Sequence, residues 1–262
     1  MHTNRIWLPF LLLMSLVACD LPHQPGPMPS EIVETVFEPG LNILGIIRAD
    51  GEAGSSFINI NRALTTEEIY SDTIQNFSPR VDHVRVSARS SQAEYLFSRD
   101  GDSSDWSNYL DSTLMAVPGE TYDLEISAPG FPLLTGSTQV PLQPQVAPGT
   151  LQRDGDQLSL VIQHDPSIFE YKLYLLLMDG IQERIIQPTN ENTISVDWQF
   201  DPEAGPLIAL MLAGLDENLT RYGNSPISFI PNTYHPDGST VSGGYGCFGS
   251  VAISWVDLSF LN

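Results

Sequence analysis

Lysine is nearly missing from this chain: Lys172 is the only one among 262 residues. Lysine and arginine together number 11 against 32 acidic residues, a formal net charge of −21. A field of that sign repels nucleic-acid backbones and anionic lipid surfaces, so neither is expected as a partner. The acids are spread along the chain and form no long tract, the distribution of a solubilised surface. Cysteine is also scarce, with only Cys19 and Cys247, which excludes a disulfide scaffold. The five histidines include no H-x-H or H-E-x-x-H pair, so a zinc enzyme is not expected. No G-x-S-x-G elbow, no Walker loop and no fixed short repeat is present, which argues against a serine hydrolase, a P-loop NTPase, a solenoid and a propeller. Helix signals are few as well. Thr65-Thr66-Glu67-Glu68-Ile69 is the single helix start that the sequence suggests, with Thr65 or Thr66 as N-cap.

What is present begins at the amino terminus. Arg5 precedes an apolar run from Ile6 to Ala18, 13 residues long. That is too short to span a bilayer, which takes about 20 helical residues, and fits a secretory leader. The run ends in Leu16-Val17-Ala18-Cys19, which resembles a bacterial lipobox. The resemblance implies removal of residues 1–18 and acylation of Cys19, an attachment made stable by more than one chain. The alternative is an ordinary secretory leader with Cys19 incidental. Removing the leader takes Arg5 and no acid, so the remaining 244 residues carry −22. With Cys19 lipidated, Cys247 has no disulfide partner.

Residues 19–30 hold the lipidated cysteine and a Pro-rich stretch, Leu21-Pro-His-Gln-Pro-Gly-Pro-Met-Pro29, which favours an extended spacer. Short alternating segments then follow, among them Asn42–Arg48, Phe57–Asn61, Val81–Arg89, Glu94–Ser98, Thr121–Ile126 and Ser137–Val140. They read as strands separated by Asp-Gly and Pro-Gly turns. Pro141–Gln145 and Pro148-Gly149 suggest a linker. A second strand series runs through Gln157–Gln163, Tyr171–Met178, Ile181–Gln187, Thr193–Phe200, Leu207–Leu215 and Val251–Leu261. The expected fold class is all-β: two tandem β-sandwich domains, immunoglobulin-like or transthyretin-like, at 31–140 and 151–262 with a linker at 141–150. The Gly-rich carboxy-terminal strand is expected to complete the second domain.

Candidate chemistry is sparse. Asp100-Gly101-Asp102-Ser103-Ser104-Asp105 places carboxylates at positions 1, 3 and 6. Hard cations want several oxygens converging from a flexible loop, so Asp100, Asp102 and Asp105 are a calcium candidate, with Asp111 or Glu94 able to complete it. A solvated hairpin turn explains the same residues. Trp106 and Tyr109 lie in a polar run and are candidates for ligand contact, with local packing as the alternative. Trp198 and Trp255 lie in strand patterns and read as core. Gly244–Gly249 matches G-x-G-x-x-G, yet only 13 residues follow and they read as a strand, so a glycine turn or bulge is expected and not a dinucleotide site. Cys247 would need a nearby base and a depressed pKa to act as a nucleophile, and His235 is the nearest histidine in sequence.

Three segments carry a family resemblance: Leu41-Asn-Ile-Leu-Gly-Ile-Ile47 before Asp50-Gly51, Pro118-Gly-Glu-Thr-Tyr-Asp-Leu-Glu-Ile126, and Gly243-Gly-Tyr-Gly-Cys-Phe-Gly249. In order and spacing, with the lipobox, they are similar to a family of uncharacterised Bacteroidota lipoproteins, often encoded beside TonB-dependent outer-membrane receptors. The resemblance implies a non-enzymatic lipoprotein of the outer membrane, facing the periplasm or the cell surface. Its partner would be an outer-membrane receptor or another envelope protein. It supplies no catalytic residues and no cofactor beyond the calcium candidate above. The alternative is a stand-alone carbohydrate- or peptide-binding surface lipoprotein.

Overall fold

Buried and exposed positions alternate cleanly at Thr121–Ser127, Gln157–Gln163 and Thr193–Gln199 in the computed structural model, which describes residues 40–64, 68, 80–101, 108–189, 191–225 and 238–261. All of these belong to one contact unit, Phe37–Asn262. The first strands are β1 (Leu41–Ala49), β2 (Phe57–Arg62), β3 (Arg85–Arg89), β4 (Glu94–Arg99), β5 (Asn108–Leu110), β6 (Thr121–Ser127) and β7 (Leu134–Gln139). They are followed by β8 (Gln145–Val146), β9 (Gln152–Asp154), β10 (Gln157–Gln163), β11 (Glu170–Leu177), β12 (Gly180–Ile186), β13 (Thr193–Gln199) and β14 (Leu207–Leu215). Helix α1 (Glu217–Gly223), β15 (Val241–Ser242) and β16 (Gly244–Asp257) complete the order. The protein is all-β, as its sequence suggests.

Among the described residues, twelve strands form one hydrogen-bonded path, β12-β11-β14-β16-β1-β2-β5-β4-β3-β6-β7-β15. A second sheet holds β13, β10 and β8, with β9 on β10. Among the described residues there are two large cores and a small third cluster of Ala213, Leu215, Val251 and Ile253, against which Ile46, Met211 and Leu219 pack. In the first, Ile43 and Ile47 of β1 and Ile58 and Ile60 of β2 meet Val86, Phe97, Tyr122, Leu124 and Ile126 from β3, β4 and β6. The 12-strand path thus turns back over itself to make a sandwich. In the second, Leu158, Leu160 and Trp198 of the small sheet pack on Tyr171, Leu173, Leu175, Leu210 and Leu212. Trp198 Nε1 donates to Gln182 Oε1 at 3.2 Å, so even the polar edge of this buried ring is satisfied.

The last strand belongs to both cores. The first half of β16 runs parallel to β1, from Leu41↔Gly244 to Ala49↔Ala252. Its second half pairs antiparallel with β14, from Leu215↔Val251 to Ala209↔Asp257. The Gly-rich half, expected to close the second sandwich, instead places Phe248 and Ala252 in the first core. Two glycines make room for the Phe248 ring. A Cβ on Gly45 would sit 2.8 Å from its Cδ2, and one on Gly136 3.2 Å from its Cβ. Close backbone approach to β1 requires a third: Gly246 has φ +102°, and a Cβ there would lie 1.9 Å from Ile43 O. The segment 141–150, expected as a linker, contains β8 and is fastened on both sides. Leu142 N–H donates to Ser167 Oγ at 3.0 Å, and Ser254 Oγ donates to Pro144 O at 2.6 Å.

Two elements depart from the sequence reading. The strand expected at Val81–Arg89 begins only at Arg85, and His83 sits in the left-handed region at φ 57°. Helix α1 was not expected. Its N-cap is Asp216, whose Oδ1 accepts from Leu219 N–H at 2.8 Å. The other carboxylate oxygen accepts from Thr138 Oγ1 at 2.5 Å, and that hydroxyl lies 2.8 Å from Ser250 Oγ. One buried carboxylate therefore ties α1 to β7 and β16. The helix start expected at Thr65 lies outside the described residues, apart from Glu68. Glu68 holds Arg62 in a bidentate pair at 2.6 and 2.9 Å.

Candidate functional site

A cavity and a sheet face stand out from the rest of the surface. The open cavity, of about 470 Å³, lies at the mouth of the first sandwich. Its walls include Val81, His83, Val84, Arg85, Phe97, Arg99 and Tyr109. Strand alternation builds it. Tyr95, Phe97 and Arg99 share one face of β4, and Phe97 is in the core, so the row that packs the sandwich ends in an arginine. Tyr109 sits opposite Arg99 across the β4–β5 ladder. It is buried, and burial raises its phenol above the ordinary tyrosine value.

The sheet face belongs to the second sandwich. Residues directly opposite on neighbouring strands share a face, so the register of β12, β11, β14 and β16 gives three rows. They are Ile181–Leu176–Ala209–Asp257, Glu183–Tyr174–Met211–Trp255 and Ile185–Lys172–Ala213–Ile253. Most of these side chains are apolar, and the inward face of the same strands is already filled by the second core. Trp255 is 56% exposed, Ile181 68% and Ile185 54%. Burial and the neighbouring Glu183 push the Tyr174 phenol up to about 12. A polar groove of about 560 Å³ lies elsewhere, over Arg89, Asp123, Glu125 and Ser137 of β3, β6 and β7.

The residues singled out in the sequence fall as follows. Cys19, Asp102, Asp105, Trp106 and His235 lie outside the described residues. Asp100 is exposed at the end of β4, and its N–H donates to Asn108 O at 2.9 Å. Among the described residues, no three His, Cys, Asp or Glu side chains converge on a metal site. Tyr109 is a wall of the cavity and is not an exposed loop aromatic. Trp198 is core, but Trp255, expected to be core, is exposed on the apolar face. The reason is legible in the strand: both parities of Val251–Val256 carry apolar residues, so alternation alone does not say which side faces water. Cys247 is fully buried, and burial pushes its thiol up to about 12. That holds it protonated, the reverse of what a nucleophilic thiolate needs. The Gly244–Gly249 stretch lies within β16 and opens no helix. A buried amide row was missed altogether: Asn61 Nδ2 donates to Asn59 Oδ1 at 2.7 Å, and Asn59 Nδ2 to Asn108 Oδ1 at 3.1 Å. Among the described residues, no helix is long and apolar enough to cross a membrane.

No family model matches this chain, and no curated protein matches it. Solved structures do. The crystal structure of chicken CNTN1 FN1-FN3 domains aligns with 11% identity and a TM-score of 0.21, over 82% of this chain. The alignment spans 66% of that chain's length. The all-β class of the present protein rests on its own strands and their pairing.

Proposed function

We propose that this protein is a lipid-anchored, non-enzymatic docking module of the outer membrane, accessory to a TonB-dependent transporter. The observation that carries the reading is the apolar row of half-buried Tyr174 and Met211 with exposed Trp255, and exposed Ile181 and Ile185 beside it. Contiguous apolar faces of this kind, with an aromatic residue among them, are the usual surface of protein association. Glu183 and Asp257 stand on the same face, and the chain carries a large excess of acids. The complementary surface is therefore an apolar patch edged with arginine or lysine, on the transporter's accessible face. The leader and Cys19 supply the second element of the reading. A lipid and a Pro-rich spacer hold the module in the partner's membrane and raise its effective concentration there. The buried, protonated Cys247 fits a role without chemistry.

The test is affinity purification of the lipidated full-length protein from detergent-solubilised outer membranes, beside a Trp255→Glu variant. The expected result is an outer-membrane β-barrel protein in near-equal amount with the wild type and its loss with the variant. Recovery of the protein alone, or equal recovery with both forms, would overturn the docking reading. It would favour a stand-alone binding protein instead.

A further inference from the structure

We propose that the cavity at the mouth of the first sandwich binds a small organic carboxylate with an apolar body, its carboxyl group held by Arg99. The first observation is where the arginine points. Arg99 continues the core-facing row of Tyr95 and Phe97 on β4 and lines the cavity beside Tyr109. The second is that its Nε is buried with no hydrogen-bond partner. A buried donor of a charged group left unsatisfied is costly, and native proteins rarely keep one without a use. The third is charge. Two of the chain's few cationic residues, Arg85 and Arg99, and His83 line this one cavity in a protein of net −21. Asp82 is the one carboxylate among the lining residues; it is mostly exposed and lies 3.6 Å from Arg80. The fourth is backbone strain at the rim, where His83 holds a left-handed φ of 57°. Such outliers gather at ligand sites.

The chemistry of the walls selects the ligand. Val81, Val84, Phe97 and Tyr109 offer apolar and aromatic contact around a carboxylate held by the guanidinium. A volume of about 470 Å³ suits a molecule of drug size or smaller. A guanidinium N–H with apolar walls recognises a planar carboxylate on a hydrocarbon body, through a charge-assisted hydrogen bond that a neutral amide cannot match. This inference is independent of the docking reading, since the cavity and the apolar face lie on different strands.

The experiment is calorimetric titration of the full-length protein in detergent with phenylacetate, with its neutral analogue phenylacetamide, and with acetyl-Ala-Phe. The expected result is saturable one-to-one binding of phenylacetate, at least tenfold tighter than phenylacetamide. Arg99→Gln should abolish that preference. The acid-to-amide ratio is read on the wild type, so it stands even where the variant misfolds. Val84→Trp, which fills the cavity and leaves Arg99 in place, should abolish binding of both analogues with the circular dichroism spectrum unchanged. No binding, equal binding of acid and amide, or an unaltered preference in Arg99→Gln would overturn the proposal. Acetyl-Ala-Phe binding tenfold tighter than phenylacetate would make the ligand a peptide carboxyl terminus and overturn its assignment as a small non-peptide acid.

Discussion

Replacing Gly246 by alanine should come close to unfolding the protein, and the reason lies in the parallel seam between β1 and β16. Gly246 is paired with Ile43, inside that ladder and two pairs from its start. Its φ of +102° lies outside the range that L-residues adopt readily, which alone costs about 1–3 kcal/mol. The added methyl would also sit 1.9 Å from Ile43 O, whereas ordinary contact begins at 3.4 Å. The seam would have to open by about 1.5 Å, which stretches neighbouring ladder bonds beyond hydrogen-bonding distance. It would also loosen Phe248, two residues on and fully buried. Complete loss of a buried Phe side chain costs about 3–5 kcal/mol, and losing part of it adds to the strain. The sum is about 4–6 kcal/mol, a large share of the 5–15 kcal/mol that holds a typical domain together. Gly51→Ala is the control. Its φ is +87°, but nothing lies within 4 Å of the new methyl, so only the backbone term remains, about 1–2 kcal/mol. Urea unfolding followed by tryptophan fluorescence measures both. If Gly246→Ala falls within about 1 kcal/mol of Gly51→Ala, the parallel seam is wrong, and with it the place of the last strand in the first core.

Two further predictions concern buried groups. Cys247, with its thiol pushed up to about 12, should resist a thiol reagent such as DTNB at pH 8 in the folded protein. It should react fully in denaturing urea, with the label located by peptide mapping; rapid labelling of the native protein would contradict its burial. Burial raises the Asp216 carboxyl above its ordinary value of 3.8, so the folded state retains a proton where the unfolded chain has lost it. The stability this group contributes is full below the unfolded value and is lost as pH rises through the raised folded value. The stability of the wild type relative to Asp216→Asn should therefore increase as pH falls from 7 towards 4, measured by urea unfolding at each pH. A difference that shrinks over that range would refute the burial of Asp216 at the junction of α1, β7 and β16.

Much of the fold is legible in the sequence because single-parity alternation leaves little choice. Thr121–Ser127 is the clearest case: Tyr122, Leu124 and Ile126 are all core, and Tyr122 Oη accepts from Val117 N–H at 3.1 Å. Legibility fails where a segment serves two neighbours. Gly244–Asp257 pairs with β1 along one half and with β14 along the other, and a local pattern carries no record of a partner 203 residues away. It fails again where both parities are apolar, which is why Trp255 read as core. Helix α1 was within reach: Asp216-Glu217-Asn218-Leu219 has an N-cap and an acid in the first turn, but it is too short to show a helical period. Tyr109 was singled out, but its partner in the cavity wall was not. Arg99 reads in the sequence as the start of the turn that ends Glu94–Ser98, and only the register that sets it opposite Tyr109 makes it the last inward residue of the strand.

The most direct test of the docking account is site-specific photo-crosslinking in intact cells, with benzoylphenylalanine in place of Trp255 on the apolar face or in place of Glu125, an exposed residue of the polar groove. The account predicts one discrete adduct from position 255, containing an outer-membrane β-barrel protein, and none from position 125. No adduct at 255, or the same products from both positions, would contradict it.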